Sequence, residues 1–198
     1  AFPNFFAVKA PVFSFAKMHR VDISLGPEMK STGEVMGIDY HYARALYKAN
    51  TGAGLNVPEE GCILFTVADR DKEEALELAK GFSQLGYTLM ATPGTAAYFR
   101  SAGLFVEEAA KVSAESPNLL DAIKKGQIHI VINTLTHGRE PERDGFKIRR
   151  ATVEHAIPCL TSMDTAAEVL GVLEVMRDRR HIYVMALQDY IGEGENFG

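Results

Sequence analysis

The rhythm of apolar and polar positions changes at Gly61. From there, short continuous apolar runs alternate with stretches whose apolar residues recur at helical spacing. Residues 62–67 form an apolar run of strand length. After Asp71-Lys72-Glu73-Glu74, the residues Ala75, Leu78, Ala79, Phe82 and Leu85 line one face of a predicted helix that stops at Gly86. The same reading gives a second strand over 87–91, a short helix over 95–102 closed by Gly103, and a weaker third strand over 104–108. A helix over 118–125 ends at Gly126, and a fourth, buried strand covers 128–132. Residues 146–155 read as helix and 157–161 as a fifth strand. A last helix puts Ala166, Val169, Leu170, Leu173 and Met176 on one face. Strands that are apolar throughout and alternate with helices predict an α/β fold: a doubly wound, mainly parallel five-stranded sheet with helices on both faces. The tail after Arg177 is charged, then apolar over 182–187, then Gly-rich, and predicts an added strand or helix, or a frayed end.

The part before Gly61 is less regular. Residues 5–15 read as an extended strand with Pro11 at an edge or bulge. No second strand of its own is expected after it, so this strand needs a sheet to join. With the lack of an initiator Met, that predicts a piece of a longer protein whose preceding domain is elsewhere. Residues 19–60 read as a connector. It holds a turn-rich stretch over 22–28, hydroxyls and a glycine hinge over 31–34, and a helix over 39–49 closed by Gly52, Gly54 and Pro58. The expected organisation is thus 1–18 as a terminal strand, 19–60 as connector and 61–198 as the α/β domain.

Composition narrows the functions. At 198 residues the chain holds one full core and part of a second unit, and 46% hydrophobic residues is ordinary for a globular protein. The net charge of -5 argues against a nucleic-acid binder or a polybasic membrane reader. No apolar run approaches the ~20 residues that span a bilayer. The apolar start lacks a basic n-region and is broken by Pro3, Lys9 and Pro11, unlike a secretory signal. Cys62 and Cys159 sit far apart in strand-like runs, as core thiols of a reducing cytosol do. Asp69 and Asp71 lack further ligands at metal spacing, so no metal site is expected.

In an open parallel sheet, ligands bind beyond the carboxyl ends of the strands. That rule selects 68–72, 92–95, 133–139 and 161–162. Thr92-Pro93-Gly94-Thr95 sets two hydroxyls and a glycine before a helix, whose unpaired N–H groups and partial positive charge suit a phosphate. Lys72 opens the neighbouring helix and supplies a formal charge. Asn133 and Thr134 offer hydrogen bonds at the same rim, and Lys111 could complete it. The plainer alternative is that Thr92 and Thr95 only cap a helix and that Lys72 is a solvated first-turn lysine. His137 beside Arg139 offers acid–base chemistry or an ordinary surface loop. Arg149 and Arg150 either bind phosphate or pair with Glu142 and Glu154. There is no P-loop, no GxGxxG and no Ser-His-Asp order.

The run Gly26-Pro27-Glu28-Met29-Lys30-Ser31-Thr32-Gly33-Glu34-Val35-Met36-Gly37 resembles the GPEM(R/K)STGEVMG segment of carbamoyl-phosphate synthetase large subunits. Leu64-Phe65-Thr66-Val67 through Asp71-Lys72-Glu73, Ala91-Thr92-Pro93-Gly94-Thr95-Ala96, Val131-Ile132-Asn133-Thr134 and Ile148-Arg149-Arg150 resemble the methylglyoxal-synthase-like allosteric domain that ends those chains. The resemblance covers nearly all of 5–175. It implies a cytoplasmic ligase of pyrimidine or arginine biosynthesis, which makes carbamoyl phosphate from bicarbonate, glutamine-derived ammonia and two ATP. ATP and Mg²⁺ or Mn²⁺ would bind in upstream ATP-grasp domains, with a small glutaminase subunit as partner. This stretch alone would be non-catalytic and carry no cofactor, residues 19–60 being the mechanical link.

The resemblance further implies that a nucleoside monophosphate, UMP or IMP, binds at Thr66, Lys72, Thr92, Thr95, Lys111, Asn133 and Thr134, with Gly94 in the same motif. Thr92, Thr95 and Lys72 would take the phosphate, and Asn133 and its neighbours the ribose or base. Thr161 matches a hydroxyl near the ornithine site of some members. Ornithine-activated members carry a glutamate after the Val-Lys pair, where Ala10 follows Val8-Lys9 here. That points to UMP inhibition and phosphoribosyl pyrophosphate activation. Leu135 stands where some members have threonine. Two rivals are a free-standing methylglyoxal synthase, with Asp69 near one of its aspartates but no Gly-Gly-Asp counterpart around 113–118, and a ligand-free structural or oligomerisation module.

Overall fold

The computed structural model describes residues 4–13, 31–54, 57–110, 112, 118–134, 144–177 and 182–192. Lys111, Leu135, His137, Arg139, Glu142 and the turn-rich stretch 22–28 lie outside them. The described residues form two compact units: those from 57 to 170, and those up to 54 together with those from 171 on.

The larger unit is the parallel sheet. Its strands are β3 (Cys62–Thr66), β4 (Thr88–Ala91), β5 (Glu107–Glu108), β6 (Ile130–Asn133) and β7 (Cys159–Leu160). They lie in the order β5-β4-β3-β6-β7, every pair parallel. The labels β1 and β2 belong to the other unit. The helices between these strands are α2 (Lys72–Gln84), α3 (Pro93–Ser101), α4 (Leu119–Lys124) and α5 (Asp144–Glu154), with α6 (Met163–Met176) after β7 and a 3₁₀ turn, Asp69–Asp71, before α2.

Alternation along β3 shows both faces covered. Phe65 stacks edge-on with Phe82 of α2 and Phe99 of α3 on one side. Leu64, with Val131 of β6, packs against Leu119 and Ile123 of α4 and Ile148 and Ala151 of α5 on the other. This is why the strands read as unbroken apolar runs. The helix face expected from Ala75, Leu78, Ala79 and Phe82 is buried, with Leu76.

Most element ends differ by a residue or two from the sequence reading, and three of them have a clear cause. The helix expected over 95–102 begins at Pro93, because Thr92 adopts the extended N-cap conformation and Pro93 has its φ already set for a first turn. The third strand shrinks from 104–108 to two residues, and Phe105 is exposed. Helix α4 is set by Asn118, whose side chain accepts from Leu120 N and Asp121 N while Asp121 accepts from Asn118 N, a reciprocal capping box.

In the smaller unit, the terminal strand is not alone. β1 (Phe6–Phe13) pairs antiparallel with β2 (Ser31–Asp39), so residues 31–34 are strand rather than a hinge. Pro11 lies opposite Glu34, and the register slips between Val12 and Phe13. The strand lacks an apolar alternation because its buried positions include Gly37 and Asp39. Gly37 is there because α1 (Tyr42–Gly52) presses onto the strand: a Cβ would meet Ala45 O at 2.1 Å and Ala49 N at 2.4 Å. The helix expected from residue 39 starts at Tyr42, since Asp39 instead ends the strand and accepts from His41 N at 3.1 Å. Lys48 of α1 binds Asp39 at 2.8 Å, Ile38 O at 3.0 Å and the Tyr190 hydroxyl at 3.0 Å. Tyr190 belongs to α7 (Leu187–Gly192), the short helix that the tail forms. Among the described residues no helix is long and apolar enough to cross a membrane.

Candidate functional site

The strand order fixes where a ligand crevice can lie. The chain runs outward from β3 through β4 to β5, then returns to the opposite side of β3 with β6 and β7. The switch point is therefore between β3 and β6, and the loops leaving their carboxyl ends diverge there. Thr66 and Asn133, the last residues of those two strands, are in register. Thr134 ties the two exits together, its buried Oγ1 accepting from Ala68 N at 2.9 Å. Its expected place at the rim thus carries a fastening role.

Past Ala68 the 3₁₀ turn delivers Asp69 and then Lys72 at the start of α2. Lys72 Nζ lies 2.6 Å from Asp69 Oδ1, with the lysine side chain 17% exposed and the aspartate 94% exposed. The ammonium also reaches the first turn of α3: it is 3.5 Å from where a Cβ on Gly94 would stand. Lys72 is therefore a lysine folded back over a helix end, not a solvated one.

That helix end is open. Thr92 N is bound to Phe65 O at 3.1 Å, which fixes the turn to the end of β3. Thr95 N and Ala96 N both turn back to Thr92 O, at 2.9 and 2.8 Å. Pro93 has no N–H. The Thr92 side chain makes no cap hydrogen bond, and its hydroxyl donates only a long 3.4 Å bond to the buried Thr95 Oγ1. Among the described residues nothing accepts from the Gly94 amide. The Gly94 amide thus lies beside the Lys72 ammonium, itself paired with Asp69, with the Thr92 hydroxyl on the N-cap residue two positions earlier, an arrangement suited to an anionic oxygen cluster.

A further cation is Arg149, for which the sequence offered a phosphate or a glutamate partner, and the structure shows Asn133 instead. Arg149 of α5 is 8% exposed and donates from Nη1 to Asn133 Oδ1 at 2.7 Å, with Asn133 1% exposed. Gly145, one helical turn earlier, lets α5 approach: a Cβ there would stand 3.3 Å from Arg149 Nη1 and 3.6 Å from Asn133 Nδ2. Position 149 falls on the same side as buried Thr152, a signal that the charge faces inward. Arg150 instead pairs with Glu154 at 2.7 Å on the surface.

The remaining candidates lie apart. Thr161 follows the outer strand β7, one strand beyond Asn133, and is exposed. Lys111 lies outside the described residues. The thiols are suppressed as nucleophiles: burial pushes Cys159 up to about 11, with a Thr152 hydrogen bond and the Arg149 charge offsetting only part. Burial likewise raises Cys62. Among the described residues no three His, Cys, Asp or Glu side chains gather as a metal site would require.

Residues 74–161 match the family model of the MGS-like domain. This stretch includes Thr92, Gly94, Thr95, Asn133, Thr134, Arg149 and Thr161, while Thr66 and Lys72 precede it. Among solved structures, methylglyoxal synthase from Elizabethkingia anophelis NUHP1 is 21% identical with a TM-score of 0.46, over 58% of this chain and 79% of that one. ForH is 25% identical with a TM-score of 0.40, over the same shares. Residues 74–161 are thus similar to the MGS-like domain, and they lie in the unit built on the five-stranded parallel sheet.

Proposed function

We propose that the parallel-sheet unit is the nucleotide-effector domain of a glutamine-dependent carbamoyl-phosphate synthase large subunit. The phosphate of UMP or IMP sits on Lys72 Nζ, the Gly94 amide and the Thr92 hydroxyl, with Thr95 behind and the nucleoside running past Thr66 toward Asn133. The observation that carries this reading is the unsatisfied helix end under the Lys72 ammonium. The run at 26–37 and the MGS-like match over 74–161 add weight to the synthase assignment. Carbamoyl phosphate synthesis from bicarbonate, ammonia and ATP would belong to ATP-grasp domains beyond this sequence, served by a glutaminase subunit in the cytoplasm. Lys111 and Thr161 are assigned secondary contacts, and phosphoribosyl pyrophosphate is the proposed competing activator.

An effector acts only if it binds two states of the enzyme with different affinity. The first test is therefore simple binding. Calorimetric titration of the chain with UMP should give saturable heat that Lys72→Met and Thr95→Ala weaken. No binding up to millimolar UMP would sink the effector site.

Asp69 favours one second reading, a methylglyoxal-synthase-type phosphate lyase. Its carboxylate is solvent-exposed and 2.6 Å from the ammonium, within reach of a phosphorylated substrate as a general base. Methylglyoxal release from dihydroxyacetone phosphate, abolished by Asp69→Asn, would establish it over the effector reading.

A further inference from the structure

The Asn133 amide can present either end to its surroundings, and Arg149 decides which. A guanidinium has only donors, so at 2.7 Å it accepts no neighbour but the amide oxygen. Flipping the amide would set –NH₂ against N–H inside a buried site, with both side chains withdrawn from water. Gly145 of α5 packs beside the amide, a Cβ there standing 3.6 and 3.7 Å from its two ends, and offers it no acceptor among the described contacts. Among the described residues, the Asn133 –NH₂ has no acceptor. Asn133 also ends β6 in register with Thr66 of β3, which puts this residue at the switch point where the crevice opens.

We infer that Arg149 is a positioning residue that locks Asn133 as a hydrogen-bond donor, and so restricts the crevice to ligands carrying an acceptor oxygen beyond the phosphate. This rests on the effector-site reading and adds the chemistry of the second contact. The oxygen is one of the nucleoside, either a ribose hydroxyl or a base keto group. Arg149 does not touch it. A ligand without such an oxygen leaves a desolvated donor unmet, and that is how the site separates a nucleotide from bare phosphate.

The test compares inorganic phosphate and UMP by calorimetry on the full chain, for wild type, Arg149→Met, Arg149→Lys and Asn133→Asp. Phosphate reports the cradle and the ratio of the two affinities reports the amide. With Arg149→Met the UMP-to-phosphate ratio should fall about tenfold, the worth of one hydrogen bond, while phosphate affinity changes little. Arg149→Lys, still donor-only, should recover part of the ratio. Asn133→Asp keeps the acceptor that Arg149 needs, so it guards against a variant that merely fails to fold. It replaces the amide donor by an acceptor and should lower the ratio at least as far. Its extra charge repels both phosphates and cancels in the ratio. A ratio unchanged in both Arg149→Met and Asn133→Asp, or equal losses for the two ligands, overturns the inference and leaves the effector site standing. A wild type that binds phosphate but not UMP overturns the effector reading and this inference together.

Discussion

If Lys72 holds the phosphate, Asp69 is its internal competitor, and removing that carboxylate should tighten binding. The perturbation is Asp69→Asn, which keeps shape and removes charge. The Lys72–Asp69 pair is short, 2.6 Å, but the aspartate side chain is 94% exposed. Exposed pairs contribute about 0–1 kcal/mol, so releasing the lysine yields at most that. A phosphate oxygen on the same ammonium would also lie about 5 Å from the carboxylate. At the dielectric of water, that repulsion is about 0.8 kcal/mol per unit charge, before screening by salt. Together these give about a four- to twentyfold gain in phosphate affinity at low ionic strength, shrinking toward twofold near 0.5 M salt, where the Debye length is roughly 4 Å. Titration of wild type and Asp69→Asn with inorganic phosphate at two salt concentrations reads both numbers. Weaker binding by the variant, or a gain that ignores salt, would refute the competitor role. It would also return weight to the carboxylate as a working group.

Gly37→Ala should destabilise the smaller unit by about 1–3 kcal/mol or more, because its Cβ would press on the backbone of Ala45 and Ala49. Hydrogen exchange over 42–49 should speed up, and unchanged protection would contradict the close approach. Burial lowers the Lys48 pKa, but its bonds to Asp39 and Tyr190 outweigh that and hold it above the ordinary 10.5. A raised cation stabilises the fold fully below pH 10.5 and ceases to as pH climbs past its folded value. The difference in melting temperature between wild type and Lys48→Met should therefore be flat to about pH 10 and then narrow. Cys159, pushed from 9.0 to about 11, should alkylate at pH 8 roughly 100-fold more slowly than a free cysteine, and labelling at the ordinary rate under native conditions would refute its burial.

Much of the larger unit was legible, and for a physical reason. A sheet covered on both faces needs strands such as Ile63-Leu64-Phe65, apolar at every position, and nothing in the sequence competes with that reading. The smaller unit was harder. β2 carries Gly37 at a buried position and Asp39 where the helix was expected to begin. Both make sense only once α1 lies on the strand and Lys48 reaches the carboxylate. At the site, Lys72, Thr92 and Gly94 followed from strand ends. Arg149 was offered as a phosphate ligand or a glutamate partner, but its actual partner was not legible, because Asn133 lies on the preceding strand. The pairing of Asp69 with Lys72 was equally hidden, since a first-turn lysine followed by two glutamates suggests several partners.

The switch point has a kinetic consequence. Its two walls are joined by the bond from Ala68 to Thr134, groups 66 residues apart in the chain. The crevice cannot exist in a half-folded chain. β3 and β6 meet across the stretch of chain that holds β4, β5 and their helices. Closing so long a loop is slow, which predicts that the crevice is among the late contacts. A ligand held there would leave the refolding rate nearly untouched and slow unfolding, acting as a lock on a finished sheet and not as a seed for its assembly.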